Sequence, residues 1–366
     1  MNVPKLRFKE FNDNYLRLKY KDVLKIKSGK DQKQVECENG IYPILGTGGQ
    51  IGKTNSFLYD KPSVLIGRKG TINKPQYMET PFWTVDTLFY SHIYEPNIPK
   101  YLFYSFQNVN WKKYDESTGV PSLSSSTIEG VDCNIPSKEE QLKVANFISL
   151  LDKKIELQSK KIEDLKLFKM STLDKYFNKD TCKEKALLKK YCSCLTGKSK
   201  ADKVDINGNY YIMDMGTVNS DGNILKTKPT FCNLDLLSYG DLVMPKDDIG
   251  GGLIIGKTGF IDEDNKYVLG DHVYLLKVND INSLFLHYQI NSKYINKQLK
   301  RKVTGSAQLG LKSDNILNQE IYIYSEEEQK KIANIFKLID RKIELETEKI
   351  FKLINLKKGL MQNMFV

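Results

Sequence analysis

A length of 366 residues leaves room for about two domains, each able to bury its own core, and 40% hydrophobic with 28% charged residues is the composition of a soluble globular protein. A formal charge of +11 and a pI near 9.0 favour a polyanionic partner, nucleic acid ahead of an acidic membrane surface. No run approaches the roughly 20 apolar residues that span a bilayer, and the opening MNVPKLRFKEF lacks the apolar centre of a signal peptide, so a cytoplasmic location is expected.

From Tyr15 to Pro136 the text is short and strand-like, with apolar runs such as YPIL, SVLIG and TLFYSHIY separated by glycine-rich turns. This predicts a turn-rich, mainly β or mixed domain over residues 1–137, with one helix around Lys100 to Lys113. A long helix is predicted over 138–179. The same grammar then returns over 180–324: Thr196-Gly197-Lys198 echoes Ser28-Gly29-Lys30, NYYIMDMG echoes IYPILGTG, and GDLVMPK echoes PSVLIGRK. SLFLHYQINSKYINKQL predicts one helix in this second domain, and Thr304-Gly305 matches Thr118-Gly119. A second long helix is predicted over 325–366. The expected fold class is α/β, of the α+β kind, built as a pseudo-two-fold internal repeat of domain and helix.

The long helices are the clearest repeat. Residues 137–165 recur at 325–353, displaced by 188 positions with 16 of 29 residues identical. On a seven-residue repeat, Val144, Ile148, Leu151, Ile155, Ile162 and Leu165 fall on one seam, and Ile332, Phe336, Ile339, Ile343, Ile350 and Leu353 on its copy. Both seams break at the same register, Gln158 and Glu346. Two such stripes predict an antiparallel coiled coil in which Ile155 and Ile343 share one core.

One catalytic motif is literally present, since Gly251 to Thr258 fits the G-x-x-x-x-G-K-[ST] phosphate loop, with Gly52-Lys53-Thr54 as its apparent copy in the first domain. That loop works only where a helix begins at the Lys-Thr, and here the continuation GFIDEDN reads as strand and turn. No dinucleotide fingerprint, flipped-base loop, helicase set or Ser/His/Asp constellation accompanies it. The six cysteines, Cys37, Cys133, Cys182, Cys192, Cys194 and Cys232, and the histidines His92, His272 and His287 match no metal spacing. Neither metal nor cofactor is therefore expected, and no chemistry is assigned to the chain itself.

Basic and polar turn residues recur in both domains. The first offers Lys53, Thr54, Arg68, Lys69, Thr71, Asn73 and Lys74, then Lys112, Lys113, Ser117 and Thr118 beside Trp111. In the second are Lys246, Lys257, Thr258, Lys300, Arg301, Lys302, Thr304, Ser306 and Gln308. Lys, Arg and Thr of this kind anchor phosphates, while Arg, Asn and Gln pair with base edges in the major groove.

The sequence resembles the specificity subunit of type I restriction-modification systems over its whole length. The resemblance lies in Pro4-Lys5-Leu6-Arg7-Phe8 with Phe11, in Ile135-Pro136-Ser137 through Glu140-Gln141, in Glu327-Glu328-Gln329, in LLDKKIEL and LIDRKIEL, and in LKKGLMQNMF. It implies two target recognition domains, each reading half of a split site in double-stranded DNA, and partnership with two methyltransferase subunits and with motor-nuclease (restriction) subunits. Alternatives are the recognition subunit of another two-part restriction-modification enzyme, a phosphate-loop NTPase, and a coiled-coil structural protein.

Overall fold

The computed structural model describes residues 3–178, 184–305 and 308–365. The chain is mixed α/β, and one arrangement of strands and helices followed by one long helix occurs twice. It divides into two compact units, Met1–Ser159 with Glu348–Val366, and Lys160–Thr347.

In the first module the strands are β1 (Leu16–Lys19), β2 (Leu24–Lys27), β3 (Tyr42–Gly46), β4 (Gly49–Thr54), β5 (Ser63–Gly67), β6 (Gln76–Met78), β7 (Trp83–Thr84), β8 (Leu88–Ile93) and β9 (Asp132–Ile135). Its helices are α1 (Pro99–Asn108) and α2 (Ser125–Gly130), and α3 (Lys138–Tyr176) follows. The sheets run β2-β8-β5-β6 and β4-β3-β7, and β1 pairs with β9.

The second module has β10 (Lys185–Leu187), β11 (Cys192–Thr196), β12 (Tyr210–Met213), β13 (Pro229–Thr230), β14 (Leu242–Pro245), β15 (Asp247–Asp248), β16 (Gly259–Phe260), β17 (Tyr267–Leu269) and β18 (Val273–Val278). Next come α4 (Ser283–Asn291), α5 (Lys293–Lys300), β19 (Leu309–Gly310), α6 (Ser313–Leu317), β20 (Glu320–Tyr322) and α7 (Glu326–Met364). Its sheets, β11-β18-β14-β16 and β13-β12-β17 with β10 on β20, repeat the first topology, including the parallel pair β3/β7 as β12/β17. Gly29 and Gly197 hold the same place in each copy. A Cβ at Gly29 would lie 2.0 Å from the Val85 carbonyl oxygen, and one at Gly197 2.3 Å from that of Gly270.

The expected helix over Lys100 to Lys113 stops at Asn108, because Val109 is extended and Trp111 turns into the core through a 3₁₀ turn. The helix expected through SLFLHYQINSKYINKQL is two helices. Ser292 is extended at φ −60°, ψ 151°, and its hydroxyl accepts from the Ile295 amide, so it caps α5 instead of continuing α4. α2 and α6 are too short for periodicity to reveal.

Both long helices have 39 residues and carry the repeat at the same offset. In the first unit Val144, Ala145 and Ile148 of α3 bury with Met361 and Met364 of α7 and with Phe365 just beyond it against Tyr101, Tyr104 and Phe106. In the second unit Ile332, Phe336 and Ile339 of α7 bury with Leu173 of α3 and with Phe177 just beyond it against Phe285 and Tyr288. The outer ends of the expected seam thus pack on the cores of the two modules. The segments are antiparallel within each unit, with Lys357–Asp152 at 2.6 Å in the first and Lys161–Glu346 at 2.9 Å and Lys169–Asp340 at 2.6 Å in the second. That register carries half-buried Ile155 towards Leu353 and Ile354, and half-buried Ile343 towards Leu165 and Lys166. The expected sharing of one core by Ile155 and Ile343 is therefore corrected: a coil built on the symmetric register would pair like positions only at its centre. Ile162, Leu165, Ile350 and Leu353 are likewise half-buried.

A repeated triad ties each module to both helix segments. The Asp340 carboxylate accepts from the Tyr288 hydroxyl at 2.8 Å and pairs with Lys169, whose ammonium lies 5.3 Å from the Tyr288 ring centre. Asp152, Tyr104 and Lys357 repeat this at 2.8 Å, 2.6 Å and 5.5 Å. Gln141 and Gln329 act as second fasteners: each side-chain oxygen accepts the amide at the start of the packed helix, Ile98 and Asn282 respectively, at 2.9 Å. No helix among the described residues is long and apolar enough to cross a membrane.

Candidate nucleic-acid interface

In the first module the loop after β5 carries most of the expected DNA-facing residues, and the backbone fixes it against a second loop. Leu123 donates to the Arg68 carbonyl, Gly70 donates to that of Pro121, and Lys69 bridges Ser122. Exposed Arg68 and Lys69 are therefore held against the loop that also carries exposed Thr118, and half-buried Thr71 and exposed Asn73 and Lys74 follow them before β6. The Gln76 side chain donates to the Gly46 carbonyl at 2.8 Å, which adds the Thr47-Gly48-Gly49 hairpin to this face. That hairpin was not among the expected site residues, although its glycines are a turn signal. Asp115 organises the second loop by accepting from the Ser117 amide and hydroxyl and from the Ser122 amide, and these donors hold its carboxyl below the usual range. The Ser117 hydroxyl is thus committed within the loop.

Other expected residues of this module lie elsewhere. Lys53 is exposed on β4, paired with Pro43, away from the hairpin tip. Thr54 is fully buried and its hydroxyl accepts from the Ser56 amide, which removes it as a phosphate anchor. Lys112 and Lys113 are exposed on the 3₁₀ turn that the buried Trp111 anchors.

The second module repeats the frame with different side chains. Lys246 donates its amide to the His272 carbonyl and accepts from Leu311, as Arg68 does with Thr87 and Leu123. Asp247, paired with Gly310 in β15 and β19, stands where Lys69 pairs with Ser122. Its carboxylate lies 2.8 Å from Nδ1 of His272, a residue in the left-handed region at φ 60°. Neither Asp247 nor His272 was singled out from the sequence, because their pairing spans 25 positions. Thr304 bridges Gly310 in both directions and stays exposed, as do Gln308 and Arg301; Ser306 lies outside the described residues. Lys302 is structural, its ammonium donating to the Asn315 carbonyl and to Gln319.

The match to a phosphate loop is overturned. Thr258 enters β16, not a helix, and is 0% exposed. Its amide donates to Asn291 and its hydroxyl meets Nδ1 of His287, so neither group of Thr258 is available to a phosphate. Lys257 turns inward, donating to the Asn291 carbonyl at 3.1 Å. The internal alignment is corrected as well. Val243 pairs with Gly259 as Leu65 pairs with Gln76, so the counterpart of Gly256-Lys257 is Asn73-Lys74, while Gly52-Lys53-Thr54 belongs to a different strand. Between β14 and β16 the loop is longer than between β5 and β6, and Gly251 and Gly252 take φ of 78° and 83° within it.

Comparison with known proteins agrees with this doubled frame. The family described as "Type I restriction modification DNA specificity domain" matches residues 12–167 and again 192–355. The type I restriction enzyme MjaVIII specificity subunit of Methanocaldococcus jannaschii is 27% identical over 288 residues, 71% of this chain and 68% of that protein. Among solved structures, the S subunit of a type I restriction-modification system from M. genitalium has a TM-score of 0.71 at 16% identity, covering 100% of this chain and 99% of that one. A chain from work on complex assembly and conformational transition of the type I R-M system has a TM-score of 0.59 at 12% identity, covering 96% and 97%. At those identities the structural likeness speaks for the fold. With two matches that together span most of its length, the chain belongs to the type I restriction-modification DNA specificity family.

Proposed function

We propose that this chain is the specificity subunit of a type I restriction-modification complex and reads a bipartite DNA target, one half with each module. It performs no catalysis itself in this reading and works in the cytoplasm. The observation that carries the proposal is one backbone frame used twice with unlike loop side chains, Arg68-Lys69 in one copy and Lys246-Asp247 in the other. Equal frames with unequal edges suit two different half-sites, because groove-facing side chains select bases and phosphate contacts only set register.

The long helices serve in this proposal as ruler and dock for two methyltransferase subunits, with motor-nuclease subunits joining for cleavage. Apolar side chains recur uncovered at equivalent helix positions, Leu150 and Leu338 at 68% and 71% exposure and Phe168 and Leu356 at 57% and 51%. Such repeated exposure fits two copies of one partner. Methylome sequencing tests the reading directly. Replacing residues 15–136 by the equivalent module of a relative is expected to change one half-site and leave the other half and the spacer alone; a swap that rewrites both halves refutes independent reading.

A further inference from the structure

Within the second unit a cavity of about 580 Å³ lies between the recognition module and its two long-helix segments. That is the size range of small-molecule sites. Its lining carries the cations Lys257, Lys293, Lys297 and Lys300 together with the apolar side chains of Met170, Leu173, Leu253 and Ile343. Of the three carboxylates in the lining, Asp340 is held by Lys169 and Tyr288 and Asp221 faces Lys166 at 3.9 Å, which leaves half-buried Asp174 against four lysines. Among the described residues Lys293, Lys297 and Lys300 make no ion pair. Burial, then the neighbouring Lys300, push Lys257 down to about 8, and burial beside Lys169 and Lys257 pushes His287 down to about 3, so this histidine stays neutral.

The first module lacks this arrangement. Lys74, the counterpart of Lys257, is exposed, and Phe103 occupies the place of His287 with Tyr77 stacked on it at 5.4 Å. The second module therefore gathers like charges at a concave surface where its copy packs aromatics, an arrangement that costs stability unless an anion balances it.

We propose that this cavity binds a phosphorylated small molecule, its multiply charged phosphate on the lysines and its organic part on the apolar side chains. A monocarboxylate would balance only one ammonium, and a duplex is too wide to enter. Because Leu253 belongs to the long loop that begins beside Lys246 and Asp247, an occupant would also steady the loop that carries them.

Calorimetric melting of the full chain with pyrophosphate or ADP tests this. Both are expected to raise the wild-type transition in a concentration-dependent way. The Lys257→Met/Lys300→Met double variant is expected to lose roughly ten- to hundredfold in affinity for both ligands. Unliganded, it should melt at or above wild type, since repulsion has been removed. Lys74→Met should leave the ligand response intact. Leu253→Trp, which fills the apolar side and keeps every lysine, should abolish the ADP response and spare that to pyrophosphate. No wild-type shift with either ligand, or an equal shift in the double variant, overturns the proposal. So does a double variant whose only defect is a lowered salt dependence of non-specific duplex binding, which would make these lysines DNA contacts.

Discussion

Arg68 and Lys69 of the first module stand where Lys246 and Asp247 stand in the second, on the same hydrogen-bonded frame. One edge offers two cations, the other a cation and a carboxylate paired with His272. Below that edge the modules diverge again, into packed aromatics in the first and a charged cavity in the second. The duplicated helix starts diverge too. Glu140 is buried, taking a two-pronged bond from Arg7 and another from Tyr15, whereas its repeat Glu328 is exposed and accepts from Ser325. Identical letters in a repeat can thus be a buried charge network in one copy and a surface cap in the other.

The largest way to break the symmetry is at that glutamate. Arg7→Ala leaves the Glu140 carboxylate buried without its cation and should cost the first unit about 3–5 kcal/mol. Glu328→Gln should cost the second less than about 1 kcal/mol. Hydrogen exchange resolved by module measures both; equal losses would show that Glu140 is not specially buried.

Next come the reading edges. Arg68→Ala should cost about 1–3 kcal/mol of discrimination at one base step of the first half-site and leave the second half-site unchanged. Asp247→Lys, which writes the first module's residue into the second, should alter the second half-site alone. Target selection assays on the assembled complex read both, and a change in the wrong half would remove these loops from base reading.

Acid separates the two interiors as well, with an effect that is small for each step in pH. His287, held near 3 in the fold against about 6.5 unfolded, takes up a proton only on unfolding. The unfolded state therefore binds more protons as pH falls below about 6.5, and stability should drop by about 1.4 kcal/mol per pH unit down towards 3. His287→Gln should flatten that slope, whereas Phe103, its counterpart, contributes none. Smallest is Lys69→Ala, which should weaken binding to all duplexes alike and lower the salt slope by about one.

Much of this was readable from residues alone. The heptad seams and the 188-residue displacement locate both long helices, and the Ser28-Gly29 and Thr196-Gly197 turns mark equivalent points because only glycine tolerates the carbonyl pressed against it. What stayed hidden depended on distant partners. Lys169, Tyr288 and Asp340 meet only after folding, and nothing local distinguishes Lys257, which turns inward, from Lys74, which does not. The apparent phosphate loop misled because a pattern of letters carries no direction: Thr258 enters a strand. Thr54, Ser117 and Lys302 read as contacts since they are polar turn residues, but each has its hydrogen bonds within the fold.

The core of the first module includes Met361, Met364 and Phe365, with Phe365 stacked on Tyr101 and the Leu6 amide donating to the Asn363 carbonyl. Its hydrophobic interior is therefore incomplete until residues some 200 positions further along the chain have been made, whereas the second unit, Lys160–Thr347, is contiguous and can close before them. Of these two units, the one whose bulk is translated earlier can be completed only after the other, and would hold apolar surface open in the meantime. Loss of residues 348–366 would damage the module farthest from them in sequence, and the neighbouring second module would survive it.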